Sequence, residues 1–266
     1  MANRKNLVLG GSGTIGSALC KELKDQGEEV INLDLKIGFD LRTLNLFNYK
    51  NVDYVWFLAW DVGGAKYLYN ADNQLKIIQN NTRICENVFS FLKSTQIPFM
   101  FVSSQLASYD NAYGVTKKLG EEWSRILNGN IVRFWNVYGW ETPGEKSHII
   151  PDLVVRSLQK QPIKLLTNGE EERQFIFMED TVKNLIRMRE MGLKEVDMTN
   201  NRWIKIKDLA KIITTKIGTT LELGKEKGYS VRIEANETAK KFHFETTLEQ
   251  GVDKIIKEAK KYLKTN

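Results

Sequence analysis

The chain has 266 residues, 42% apolar and 27% charged, enough for one large domain or a main domain carrying a smaller lobe. Lys and Arg number 39 against 33 Asp and Glu, and this formal +6 admits nucleic acid, an anionic membrane surface, a phosphate-bearing ligand or plain solvation. Two cysteines (Cys20, Cys85) and two histidines (His148, His243) are too few for a disulfide framework or a metal cluster, so no metal is expected.

No apolar run approaches the roughly 18–20 residues of a bilayer span. Met1-Ala2-Asn3-Arg4-Lys5-Asn6 leads into too few apolar residues for a signal peptide. The expectation is a reduced, cytoplasmic globular protein with no membrane partner.

In chain order, Asn6–Leu9 is a short apolar run ending in glycine, as a buried parallel strand does. Ile15–Gln26 places Ile15, Ala18, Leu19 and Leu23 on one helical face, with Gly27 as its stop. Val30–Leu33 is the next strand, and Val52–Ala59, almost continuously apolar, reads as a central one. An amphipathic helix over about 72–93 precedes a strand at Phe99–Val102, then a helix over Tyr113–Leu127 and a strand at Asn130–Phe134.

Strand–helix alternation of this kind predicts an α/β, Rossmann-type doubly wound parallel sheet. Beyond Tyr138 turns become frequent and lysine dense. The expected organisation is a dinucleotide-binding domain over 1–138 and a smaller, mixed α/β substrate lobe over 139–266, interleaved with the end of the sheet. Leu248–Leu263 reads as an amphipathic helix whose lysines form a solvated face.

Gly10, Gly13 and Gly16 give G-x-x-G-x-x-G between the first strand and the first helix, with Thr14 and Ile15 opening that helix. Glycine there lets the backbone approach a pyrophosphate, whose charge faces the amides and dipole of the helix start. Asp34 closes the second strand, where a carboxylate accepts hydrogen bonds from ribose hydroxyls and repels a 2′-phosphate. The cofactor this implies is NAD in preference to NADP, with Lys36 close enough to soften the repulsion.

Tyr113 and Lys117 lie four apart at a helix start and share a face. A neighbouring ammonium favours phenolate over phenol, which makes the tyrosine usable as the acid or base accompanying hydride transfer. They follow Phe101-Val102-Ser103-Ser104, a strand ending in hydroxyls at the sheet edge where such folds bind ligands.

With these pieces in place the chain resembles the extended short-chain dehydrogenase/reductases, the nucleotide-sugar epimerase/dehydratase group, along essentially its whole length. The matching segments are Gly10–Gly16, Leu58-Ala59, Asn81, Ser103-Ser104, Tyr113–Glu121, Arg133–Gly139, Arg173–Asp180 and Thr247–Gly251. By that resemblance Tyr113 is the base, Ser104 bonds the reacting hydroxyl and Lys117 holds the nicotinamide ribose. Asp40 and Leu41 lie by the adenine, and Leu58, Ala59, Trp60, Asn81 and Val137 complete the cofactor site. Asn136, His148 and Arg173 belong to the nucleotide-sugar site, where arginine's planar fork suits a diphosphate.

Val62-Gly63-Gly64 and Ser147-His148-Ile149-Ile150-Pro151 look like GDP-fucose synthase and GDP-mannose 3,5-epimerase, which puts a GDP-sugar first among substrates. Those relatives use a cysteine shortly after the catalytic serine, and the 4,6-dehydratases use an Asp-Glu pair. Here Ser104 is followed by Gln105-Leu106-Ala107-Ser108, so neither double epimerisation nor dehydration is expected. Tyr113 follows Ser104 by only nine positions, a loop much shorter than in relatives. That loop leaves room for a bulky sugar such as a GDP-heptose or another surface-polysaccharide precursor, or for a partner subunit to cover the pocket, and keeps Ser103 and Ser108 open as alternatives to Ser104.

The expected activity is NAD(H)-dependent redox chemistry at a secondary hydroxyl, C4, of a nucleotide sugar, as a 4-dehydrogenase or C4 epimerase. A 4-keto-sugar reductase is the alternative, and a non-catalytic dinucleotide-binding sensor or structural protein is the rival from another class. Nothing pairs aromatics with basic residues as nucleic-acid recognition does. Relatives pair through the helices at about 72–93 and 113–127, so a homodimer is expected.

Overall fold

The uniformly apolar runs of the first half become parallel strands whose two faces are both covered. The computed structural model describes residues 4–230 and 232–265. Its elements begin β1 (Lys5–Leu9), α1 (Thr14–Asp25), β2 (Glu29–Leu33), β3 (Tyr54–Phe57), α2 (Ala65–Leu68), α3 (Ala71–Thr95), β4 (Phe99–Ser104), α4 (Ala112–Ile126) and β5 (Asn130–Phe134). They continue with β6 (Val137–Tyr138), α5 (Ile149–Leu158), β7 (Ile163–Lys164), β8 (Glu172–Gln174), β9 (Ile176–Phe177), α6 (Met178–Glu190) and β10 (Glu195–Met198). The last are β11 (Trp203–Lys205), α7 (Ile206–Ile217), β12 (Leu221–Glu222) and α8 (Leu248–Thr265).

Six strands form the main sheet in the order β10-β5-β4-β3-β1-β2, and every pairing is parallel. β1 pairs with β2 on one side and β3 on the other, so the winding direction reverses at β1. A crevice opens at the carboxyl ends of strands where such a reversal occurs.

Between β2 and β3 the chain makes two short 3-10 turns, Leu35–Ile37 and Leu46–Tyr49, in place of a further strand. β3 is shorter than the apolar run Val52–Ala59 because the amides of Leu58 and Ala59 both donate to the carbonyl of Leu9, at 2.9 and 2.8 Å. That turns the chain inward against Gly10. β4 is longer than the apolar run, since Ser103 and Ser104 still pair with Arg133 and Phe134.

The chain forms two compact units. The first is the chain up to Phe134 together with Val182–Met198, and the second is Trp135–Thr181 with the chain from Thr199 onward. In the first, Leu7, Leu9, Val55, Phe57, Phe99 and Phe101 meet Val88, Phe89 and Leu92 of α3. Phe57, Phe89 and Phe101 form a tilted triad with centroids 5.3–5.9 Å apart. In the second, Tyr138, Ile150, Val154, Phe177, Leu209, Ile213, Val252 and Ile255 form a separate core.

β10 joins the sheet from late in the chain and brings Glu195 and Asp197 beside β5. Glu121 of α4, 4% exposed, receives the Arg133 guanidinium at 2.7 and 2.6 Å and that of Arg125 at 3.1 Å. Arg133 also reaches Glu195 at 2.9 Å, and the two arginines hold the Glu195 carboxyl down to about 2.

A buried carboxylate is tolerated only while its cations stay, so removing one partner leaves an uncompensated charge. Arg133→Met should cost about 3 kcal/mol in urea denaturation. Pairing it with Glu121→Leu should recover part of that loss, whereas simple additivity would show that the pair is not coupled.

Candidate active site

The turn after β1 is built for close approach. Gly10 has φ +90°, in the left-handed region, and its amide donates to the carbonyl of Leu33 at 2.8 Å. A Cβ on Gly10 would lie 2.7 Å from the amide nitrogen of Ala59, and one on Gly16 would lie 2.1 Å from the carbonyl oxygen of Gly10. Gly13, the N-cap of α1, makes no side-chain cap. The amides at the start of α1, which carries Thr14 and Ile15, therefore face outward without a side-chain acceptor. That cradle fits a dinucleotide pyrophosphate.

Asp34, buried at the end of β2, accepts from the amide of Ser12 at 3.0 Å and that of Lys36 at 2.8 Å. These bonds use one lone pair on each oxygen, so the carboxylate is aimed and still able to accept from ribose hydroxyls. Lys36 Nζ donates to the carbonyl of Ser12 at 3.2 Å.

Asp40 is clasped by Arg42, whose Nε and Nη2 donate at 2.8 and 2.7 Å and hold its carboxyl below the usual carboxylate range. Leu41 is buried. Arg42 Nη1 donates to Asn80 at 2.7 Å, Asn80 donates to Asp61 at 2.8 Å, and the Tyr67 hydroxyl donates to the same carboxylate at 2.9 Å.

Asn81 is fully buried, accepts from the amide of Asp61 at 2.7 Å and donates to its carbonyl at 3.2 Å. It therefore sets the path of the segment Leu58–Asp61, and direct reach to a ligand is closed to it. Arg42, Asn80, Asp61 and Tyr67 were not singled out from sequence. The one visible trace of them was a carboxylate immediately after an apolar strand.

At the end of β4 three serines part company. Ser103 Oγ donates to buried Glu121 at 2.6 Å, and Ser108 Oγ donates to the carbonyl of Gln105 at 3.0 Å. Ser104 Oγ accepts from the amide of Leu106 at 3.2 Å. Burial pushes Tyr113 up to about 12, and the Ser104 hydroxyl opposes that shift. Burial also pulls Lys117 down to about 7, against the opposing influence of Cys85 and Glu121. Lys117 Nζ donates to the carbonyl of Val102 at 2.6 Å and lies 5.8 Å from the centre of the Tyr113 ring.

The second unit carries the other residues singled out from sequence. Asn136 Nδ2 donates to the carbonyl of Gln174 at 3.1 Å, Val137 lies in β6, and Arg173 Nη1 donates to the carbonyl of Glu172 at 2.7 Å. His148 Nδ1 meets the Glu141 carboxylate at 3.0 and 3.1 Å. Among the described residues no group of His, Cys, Asp and Glu is placed to hold a metal ion, and no helix is long and apolar enough to cross a membrane.

A parallel sheet with a glycine cradle at its winding reversal and a Ser-Tyr-Lys set at the same carboxyl edge defines a dinucleotide-dependent oxidoreductase fold. The chain belongs to the NAD dependent epimerase/dehydratase family, whose model matches residues 6–200, and is an NAD-dependent enzyme.

It is 24% identical to GDP-mannose 3,5-epimerase 1 of Oryza sativa subsp. indica, over 77% of this chain and 67% of that protein. It is 28% identical to the uncharacterized UDP-glucose epimerase YtcB of Bacillus subtilis, over 68% and 71%. The Bordetella bronchiseptica enzyme WbmF, solved with NADH and with NAD+ and UDP, shares the fold with a TM-score of 0.84 at 23–24% identity, over 99% of this chain and 94% of that one.

Gly16→Ala should abolish NAD binding in calorimetric titration, because its Cβ has no room beside the Gly10 carbonyl. Asp34→Ala should weaken NAD about tenfold or more while affecting NADP less, by loss of charged hydrogen bonds worth about 1.5–3 kcal/mol.

Proposed function

We propose that the protein oxidises a secondary hydroxyl, at C4, of a nucleoside diphosphate sugar in the cytoplasm. It would act as a 4-dehydrogenase or, where hydride returns to the opposite face, as a C4 epimerase. The observation that carries this reading is the placement of Lys117 on the same face of α4 as Tyr113, its Nζ 5.8 Å from the centre of the tyrosine ring, with Ser104 closing the neighbouring strand β4.

Bound NAD+ supplies the acceptor for the hydride that leaves C4. Ser104 Oγ orients the sugar hydroxyl, and Tyr113 Oη takes its proton. Lys117, when charged, favours the phenolate that this transfer requires. Water exclusion follows from burial of Tyr113 and Lys117, at 6% and 3% exposure.

Downstream of Ser104 the 3-10 turn Gln105–Ser108 offers no carboxylate or thiol as a second acid or base. The chemistry therefore ends at oxidation or at return of the hydride, and the keto-sugar reductase is the same reaction reversed. A GDP-sugar, including precursors of surface polysaccharide, comes first among substrates. Val62-Gly63-Gly64, Ser147–Pro151 and the GDP-mannose 3,5-epimerase relative support it. The UDP-bound Bordetella enzyme and the B. subtilis relative favour a UDP-sugar second.

A homodimer through α3 and α4 accompanies this reading. Leu75 and Ile78 of α3 are 66% and 39% exposed, and Val115, Leu119 and Ile126 of α4 are 48%, 39% and 78% exposed. Their spacing puts each set on one helical face, and α3 packs beside α4, an apolar stripe that a second copy would cover.

Tyr113→Phe should lower kcat by about 10²–10⁴ while leaving NAD affinity intact. The assay is NADH absorbance and product mass over a panel of GDP-, UDP- and dTDP-sugars. A dehydrogenase accumulates ketone and NADH, an epimerase neither. No turnover with any sugar, and no difference between wild type and Tyr113→Phe, would leave only the sensor reading. Leu75→Asp with Leu119→Asp should convert a dimer to a monomer in size exclusion with light scattering, and a wild-type monomer refutes the interface.

A further inference from the structure

Lys117 is a buried cation that, among the described residues, has no carboxylate in ion-pair contact. Its Nζ lies 4.2 Å from the centre of the Trp60 ring, 5.0 Å from that of Phe101 and 5.8 Å from that of Tyr113. One hydrogen bond, 2.6 Å to the carbonyl of Val102, completes its surroundings. The groups facing it come from every neighbouring element: Cys85 from α3, Tyr113 and Glu121 from α4, Phe101 and the Val102 carbonyl from β4, and Trp60 from the segment after β3.

None of these supplies a full compensating charge. Glu121, one turn along α4, spends its carboxylate on Arg133, Arg125 and Ser103. Cys85 is itself buried and its thiol is pushed up to about 12, so it stays neutral. What remains are ring faces, whose negative quadrupole attracts a cation most strongly where water is excluded, tryptophan above all.

The Trp60 indole N–H is buried and has no hydrogen-bond partner among the described residues. Phenylalanine would pack in the same place with a weaker ring face toward the ammonium.

We propose that Trp60 is a positioning residue that cages the Lys117 ammonium and keeps it charged, and so sets the upper pH limit of catalysis by Tyr113. Resemblance to the family puts Trp60 beside the cofactor. The cage gives its ring a separate task, one that operates in the cofactor-free protein. The catalytic consequence rests on the function proposed above; the caging does not.

Charge on Lys117 is lost as pH rises through its pKa, so a weaker cage moves that loss to lower pH. The alkaline limb of kcat should follow in the same direction.

The test keeps the shape of the ring and weakens only its face. Mono-, di- and trifluorotryptophan are placed at position 60 by nonsense suppression. The Lys117 ε-carbon is followed by NMR through a pH titration of the cofactor-free protein, with Lys117→Arg assigning the signal. Each fluorine should lower the Lys117 pKa, by about one unit over the series. Melting temperature, which a merely structural role would govern, should stay within a few degrees.

A pKa that stays constant or rises across the series overturns the cage, whatever the activity. A falling pKa in a protein that turns over no sugar upholds the cage and removes the proposed function instead. A falling pKa with an alkaline limb that stays fixed refutes the link from cage to catalysis.

Discussion

The candidate site depends on how closely α4 can lie on β4. Gly120 sets that distance, and Gly114 sets how closely the start of α4 lies on the turn that follows β4. A Cβ on Gly120 would sit 2.3 Å from the Phe101 ring, and one on Gly114 would sit 2.2 and 2.4 Å from the carbonyls of Tyr109 and Leu106. With both absent, the helix settles onto the strand, and the side chains between them have nowhere to go but inward. Lys117 and Glu121 are buried for this reason, although both belong to residue types that almost never lose water fully.

Those two opposite charges sit one helical turn apart and yet are satisfied by different means. Glu121 is held by two arginines and a serine hydroxyl, which ties α4 to β4 and β5 and, through Glu195, to β10. Lys117 is left with π faces and a carbonyl. An ion pair between them would fix the ammonium at a carboxylate and raise its pKa far above neutrality. Without such a pair, burial holds Lys117 at about 7, where modest changes in its surroundings decide its charge. The arginines at Glu121 are therefore part of the site's electrostatics even though they lie behind it.

The polar chain from Asp40 through Arg42, Asn80 and Asp61 to Tyr67 plays a comparable part on the other side of the crevice. It joins the turn after β2 to the segment after β3, so both share one hydrogen-bonded support. Tyr67 and Tyr113 also pack in one apolar cluster with Leu68 and Ile77.

Much of this was legible in the chain. The strands, the glycine turn, Asp34 and the Tyr113/Lys117 spacing depend on local sequence, because periodicity and the conformational demands of glycine act over a few residues. Less could be read where contacts join distant segments. Nothing local marks Glu195–Met198 as the sixth strand, since its pairing with β5 spans about sixty residues. Ser103, Ser104 and Ser108 are chemically alike, and what sets Ser103 apart is Glu121, eighteen residues away.

Sequence alone thus determined the family, the sheet's local order and the residue types available for proton and hydride chemistry. The tertiary structure decided which serine is spent on a buried carboxylate, which carboxylates are neutralised and what surrounds the Lys117 ammonium. The reason is physical: hydrogen-bond partners, desolvation and ring faces act through space over a few ångströms, and sequence separation carries no measure of that distance.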